Sequence, residues 1–182
     1  MFKKLRFILI VVVLIGCSPV KVSFDYNPES SFGEYRSYAF LDLSSKEEDE
    51  KYKRSSLTDT RIVNSLRSEL TGRGYEESKE ESQADFLVAF HTSVEAKIDL
   101  RTTHRSYGYR HYRYSRYPVP VTEAYQYDEG SLIVDFVDAK TKELFWRGVA
   151  RKRLRERDTP EERQKTIQIA VQEILNGYPP KA

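Results

Sequence analysis

The stretch Gly130–Ala150 reads GSLIVDFVDAKTKELFWRGVA, two apolar runs on either side of a polar turn, with the chain's only Trp in the second run. It predicts a central β-hairpin. Centring its turn on Thr141 sets Asp135 opposite Arg147 on one face and gathers Leu132, Val134, Phe136 and Trp146 on the other. Trp146 is therefore expected in the core, joined by Tyr38 and Phe40. Asp135 and Arg147 are expected to pair, either as a cross-strand ion pair that sets register or as a polar anchor in a ligand groove.

Working outward, the segment before the hairpin is RTTHRSYGYRHYRYSRY, Arg101 to Tyr117, closed by Pro118 and Pro120. It is expected to be an irregular loop that interleaves arginines with tyrosines. Ahead of it, Phe86, Val88, Phe90, Thr92, Val94, Ala96 and Ile98 share one face of a strand, and His91, Ser93, Glu95, Lys97 and Asp99 the other. Such strict alternation implies an antiparallel sheet with one face buried and one wet. An acidic connector, Glu76 to Gln83, precedes that strand. A helix precedes the connector, opening on Ser56-x-x-Asp59, carrying Ile62, Val63, Leu66 and Leu70 on one stripe, and ending at Gly72 and Gly74. Asp42 to Ser55 is a solvated mixed-charge loop, and short strands are expected over Val20–Tyr26 and Ser37–Leu41. After the hairpin, Thr159-Pro160-Glu161-Glu162 opens a second amphipathic helix through Ile167, Ala170, Val171, Ile174 and Leu175, which Gly177 and Pro179-Pro180 end.

The order is β-β-α-β-(Tyr/Arg loop)-β-β-α, without repeats or linkers. It predicts an α+β two-layer sandwich, an antiparallel sheet of about five strands with two helices on one face.

The first sixteen residues, MFKKLRFILIVVVLIG, stand apart from this domain. Lys3, Lys4 and Arg6 lead an apolar run that is short for a membrane span, the pattern of a cleaved signal peptide. Leu14-Ile15-Gly16-Cys17 resembles a bacterial lipobox, in which the cysteine becomes the acylated N-terminus. Residues 1–16 are thus expected to be removed and residues 17–182 to form one periplasmic domain held on membrane lipid through Cys17. Ser18 after the cysteine points to the outer membrane by the enterobacterial sorting rule. Cys17 is the only cysteine, so no disulfide or Cys-based metal site can form. The formal net charge of +2 turns slightly negative once the leader's three basic residues are gone, which argues against a nucleic-acid partner.

Several blocks resemble the bacterial lipoproteins that carry the domain of unknown function numbered 4136. They are VKVSFDY (Val20–Tyr26), FGEYRSYAF (Phe32–Phe40), the L-x-x-x-G-Y ending at Tyr75, ADFLVAF (Ala84–Phe90), the hairpin, and the terminal I-L-x-x-Y-P-P (Ile174–Pro180). Phe40 departs from the pattern, since similar proteins often have Trp there. The resemblance implies an envelope lipoprotein with no established activity, and it carries over no catalytic residue.

No G-x-S-x-G, H-E-x-x-H or phosphate-binding glycine loop occurs. A non-catalytic binding or scaffolding role without a cofactor is therefore expected. Arg105, Tyr107, Tyr109, Arg110, Tyr112, Arg113, Tyr114 and Arg116 are the candidate contacts to an envelope protein or an anionic envelope polymer, because guanidinium forks bind phosphate and carboxylate and Tyr faces stack. The alternative is a metal-binding or hydrolytic enzyme using His104 and His111, which would need a carboxylate from elsewhere.

Overall fold

The computed structural model describes residues 20–41, 56–105, 119–155 and 157–180, the side chains of Ser56, Arg105 and Val119 excepted. The leader, Cys17 and the Asp42–Ser55 loop lie outside them. The elements in order are β1 (Lys21–Tyr26), β2 (Ser37–Phe40), α1 (Ser56–Gly72), β3 (Glu76–Glu77), β4 (Phe86–Arg105), β5 (Val119–Asp138), β6 (Leu144–Arg153) and α2 (Pro160–Leu175). The class is α+β, with both helices against one face of the sheet.

Two details of the expected sheet are corrected. It has six strands, ordered β1-β6-β5-β4-β2-β3, and it is mixed. β1, β6, β5 and β4 are antiparallel neighbours, whereas β2 runs parallel to both β4 and β3. The sixth strand, β3, lies in the acidic connector. Glu76 and Glu77 show no apolar alternation and join the sheet only through their backbone, as Glu76 N–H donates to Arg36 O at 2.9 Å and Ser78 N–H to Tyr38 O at 2.7 Å. The parallel pairing follows from α1, because a helical crossover returns the chain to the sheet in its original direction.

Asp85 pins β2 against the start of β4. Its Oδ2 accepts from Arg36 N–H at 2.9 Å, Ser37 N–H at 2.8 Å and the Ser37 hydroxyl at 2.9 Å. Asp138 does comparable work in the β5–β6 turn, where Oδ1 accepts from Lys140 and Thr141 N–H, both at 2.8 Å, and Oδ2 accepts from the Tyr35 hydroxyl at 3.1 Å. Burial opposes the charged form of Asp85, but the Arg36 and Ser37 donors outweigh it and hold the carboxyl below its usual range. The Thr141 N–H, aided by Lys140 and Tyr35, holds Asp138 below its range as well. Conversely, burial and then the bond to Asp138 push the Tyr35 phenol up to about 12.

A carboxyl whose pKa is lower folded than unfolded stabilises the fold above the unfolded value, and that contribution vanishes as pH falls through the folded one. Thermal stability is therefore expected to fall below about pH 4, the ordinary range of Asp. Asp85→Asn and Asp138→Asn should each flatten that acid limb in melts taken from pH 7 to pH 2. An unchanged limb in both variants would refute the assignment.

The core lies between the sheet and the helices. Phe86, Val88, Val134, Phe136 and Trp146 meet Ile62, Leu66 and Leu70 of α1 and Val171, Ile174 and Leu175 of α2, all fully buried or nearly so. Both Phe145 and Trp146 are buried, although neighbours in a regular strand point to opposite faces. A register shift at Phe136/Val137, which pairs Val137 with Leu144, inserts Phe145 as an extra residue and lets both rings turn inward. Thr159 and Glu162 cap α2 reciprocally, at 3.2 and 2.8 Å. At its far end Arg73, just beyond α1, donates to Leu175 O at 2.7 Å and to Asn176 Oδ1 at 3.1 Å. A guanidinium on the free carbonyls of a helix C-terminus satisfies both their hydrogen bonding and their partial negative charge.

Candidate functional site

β4 and β5, each 20 residues long, are far longer than their neighbours. β6 leaves β5 at Glu129, opposite Arg153. Leu154 N–H still donates to Asp128 O at 2.8 Å; beyond it, from Lys97 opposite Tyr127 to Arg105 opposite Val119, the two strands continue as a ribbon with no third strand beside them. At ~3.4 Å per residue the ribbon projects on the order of 30 Å.

The expectation of an irregular loop from Arg101 is corrected accordingly: Arg101 to Arg105 are strand, and so is everything from Val119 to Gly130. Pro120 fits there because a two-stranded ribbon leaves one edge of each strand without a ladder to donate to. Tyr107, Tyr109, Arg110, Tyr112, Arg113, Tyr114, Arg116 and the Arg105 side chain lie outside the described residues. The structure does establish that the strands ending at Arg105 and Val119 bracket that segment.

The ribbon's two faces differ chemically. On one, Lys97 pairs with Glu95 at 2.6 Å, Arg101 pairs with Asp99 at 3.0 Å, and the Arg101 guanidinium stands over the Tyr125 ring at 5.3 Å. Arg153 lies 4.2 Å over the Tyr127 ring at the root. The other face carries Val94, Ile98 and Leu100, which are 64%, 70% and 68% exposed. The alternation that predicts a buried face thus continues past the end of its cover, which falls between the half-buried Thr92 and the exposed Val94.

At the ribbon's root the helical layer and the sheet part around a cavity of about 770 Å³. Ile62, Leu132, Ala150, Ile167 and Ala170 form its apolar floor, and Val20 and Leu154 flank it. Lys152, Arg155, Arg163 and Asp158 stand around it. Lys152 Nζ donates to Thr166 Oγ1 at 3.0 Å. No local pattern marks this site as a whole, because its parts come from five elements, the β6–α2 connection and Val20 ahead of β1. The basic run from Arg151 to Arg157 was the only local signal.

Asp135 and Arg147 pair as the hairpin register requires. Arg147 Nε and Nη2 donate to the two carboxylate oxygens at 2.6 and 2.7 Å, and the side chains are 45% and 8% exposed, Arg147 first. Asp25 stands next to Arg147 on β1 and adds to the field that keeps it charged. The two-pronged geometry across directly opposed positions of β5 and β6 favours the register role. Removing Arg147 strands a buried carboxylate, so Arg147→Ala should cost about 1–3 kcal/mol. Once Asp135 is already Ala the same change should cost less than half as much. A double-mutant cycle by urea denaturation reads the difference, and additivity of the two changes would refute the coupling.

Of the histidines, His91 lies on β4 opposite Ile133 and His104 near the ribbon's end opposite Pro120, while His111 lies outside the described residues. Among the described residues no group of three or more His, Cys, Asp or Glu side chains could hold a metal ion. No helix among them is long and apolar enough to cross a membrane.

These features define a two-layer α+β domain of mixed sheet and paired helices, extended at one end by a ribbon. The chain belongs to the DUF4136 family, a domain of unknown function, whose model matches residues 22–180. It is similar in fold to a PDZ domain protein from Parabacteroides distasonis, with a TM-score of 0.55 and 15% identity. That match covers 91% of this chain and 36% of the other, so the chain spans about a third of that protein's length. A DUF4136 family protein from Bacteroides thetaiotaomicron matches over 88% of this chain and 96% of its own, at 13% identity and a TM-score of 0.49. The PelC dodecamer from Paraburkholderia phytofirmans matches over 86% of this chain and 95% of its own, at 9% identity and a TM-score of 0.40. No curated protein matches the chain.

Proposed function

We propose that the protein is a non-catalytic binding or scaffolding lipoprotein, held on the periplasmic face of the bacterial outer membrane through an acylated Cys17. It reaches an envelope protein or an anionic envelope polymer with the Tyr/Arg segment. The ribbon carries this reading. A two-stranded ribbon without a sheet neighbour is marginal in water, yet here it extends from Lys97 to Arg105 and ends on either side of that segment. β1 opens at Lys21 opposite Arg151, at the same end of the sheet as the ribbon's root. An acyl group only three residues before Val20 would turn that end toward the membrane.

Two changes test the two halves of the proposal. Replacing residues 97–127 by a two-residue turn keeps Ala96, Asp128 and every sheet pairing outside the ribbon. It should leave the melting temperature within a few degrees while removing the envelope components that co-purify after crosslinking in intact cells. Cys17→Ser should move the protein out of the membrane fraction. An identical set of captured components without the ribbon would sink the binding role, and unchanged sedimentation with membranes would sink the anchor.

A further inference from the structure

We propose that the cavity at the ribbon's root binds a single-chain anionic amphiphile of the fatty-acid class, its hydrocarbon chain on the apolar floor and its carboxylate at Lys152. This site is separate from the Tyr/Arg segment and does not depend on how the chain is anchored.

The first observation is the floor. Ile62, Leu132, Ala150, Ile167 and Ala170 leave an opening of about 770 Å³ between two layers that elsewhere close on each other. That size is within the range of small-molecule pockets. A cavity floored by aliphatic side chains offers water few hydrogen-bond partners, whereas a hydrocarbon chain loses nothing there. On β4 the apolar residues of this face continue outward through Val94, Ile98 and Leu100, all more than half exposed, beside Asp128 and Gln126 of β5. A chain longer than the cavity would therefore emerge onto an apolar track.

The second observation is charge. Glu95 and Arg151 belong, by strand alternation, to the opposite face of the sheet, where they influence each other. On the cavity's side that leaves Lys152, Arg155 and Arg163 against Asp158. Lys152 is the half-buried one of the three cations, and its ammonium bonds the neutral Thr166 hydroxyl. Among the described residues no carboxylate lies within ion-pair distance of Lys152, Arg155 or Arg163. An ammonium that is partly desolvated and has only a neutral partner among the described residues favours an anion, and a carboxylate supplies a charge-assisted bond to the donors that remain. A zwitterionic or cationic head group would meet the same cluster without gain. The combination of aliphatic floor and cationic mouth selects an anionic amphiphile over a sugar, a nucleotide or an uncharged lipid.

Titration calorimetry on the full chain carrying Cys17→Ser, which has no acyl group of its own, tests the proposal below the micelle threshold. Laurate should bind saturably, one per chain. Decanoate should bind roughly tenfold more weakly, the loss of two buried methylene groups. Dodecyltrimethylammonium should bind at least tenfold more weakly than laurate. Lys152→Glu should erase that preference, whereas Lys165→Glu, on the exposed side of α2, should not. Ile167→Trp fills the cavity and should abolish binding of every chain, and Thr92→Phe does the same from the sheet should the first variant melt too low to use. Equal binding of the cationic and anionic chains would overturn the proposal. So would native binding in both filled variants, or the absence of any saturable laurate binding.

Discussion

Replacing Trp146 by alanine is expected to remove about 3–5 kcal/mol of stability, the range for deleting a large buried aromatic ring. At ~2–4 °C per kcal/mol for a chain of this size, the melting temperature should fall by roughly 10 °C or more. The effect is large because Trp146 is fully buried where three elements meet. It stacks on Phe136 at 4.8 Å between ring centroids, meets Tyr178 edge-on at 5.3 Å, and is covered from β1 by Phe24 at 6.2 Å. Removing the ring leaves a void that β-sheet backbone on one side and α2 on the other cannot close. Trp146→Phe should be much milder, about 1 kcal/mol, as a hydrophobic swap that keeps most of the ring. The indole Nε1 has no hydrogen-bond partner among the described residues, so no bond is lost with it. Urea denaturation of the two variants checks the ordering. Equal losses would show that the polar atom, and not the ring's volume, matters.

Gly148→Ala should be nearly as damaging for the opposite reason. A Cβ at this position would lie 2.6 Å from Ile174 Cγ2 and 2.6 Å from the Trp146 ring. Both neighbours are fully buried, so neither can swing into solvent to make room. Overpacking of this kind costs about 1–3 kcal/mol. Gly33, where an added Cβ would meet nothing within 4 Å, is the control, and its Ala variant should melt within a degree or two of the parent. A benign Gly148→Ala would mean that α2 can lift away from the sheet at Ile174, contrary to the close packing described. The glycine is therefore placed by the tryptophan two residues earlier, whose ring lies across β6 beneath the helix.

The hairpin illustrates how much of the fold was legible in advance. Its apolar alternation and polar turn suffice to pair Asp135 with Arg147 and to bury Trp146, because a period of two allows only one assignment of faces once the turn is centred. The same logic fails one residue earlier. Phe145 should point away from the core, and only the register shift turns it inward. β3 was illegible because Glu76 and Glu77 contribute backbone alone. Arg101–Arg105 read as loop because they lack the apolar period that marks a half-buried strand, having no layer to bury against. The candidate site divides in the same way. The Tyr/Arg segment and Cys17 stand out as local composition, while the cavity is assembled from distant residues.

By itself the sequence determined the α+β class, both helices and the capping box of α2, the central hairpin and its ion pair. Each of these is written in a local period or in a contact between near neighbours in the chain. Only the tertiary structure decided the parallel placement of β2 and β3, the point at which the helices stop covering β4 and β5, and the cavity that opens there. Those depend on where separate elements end relative to one another in space, and no local pattern of residues encodes that distance.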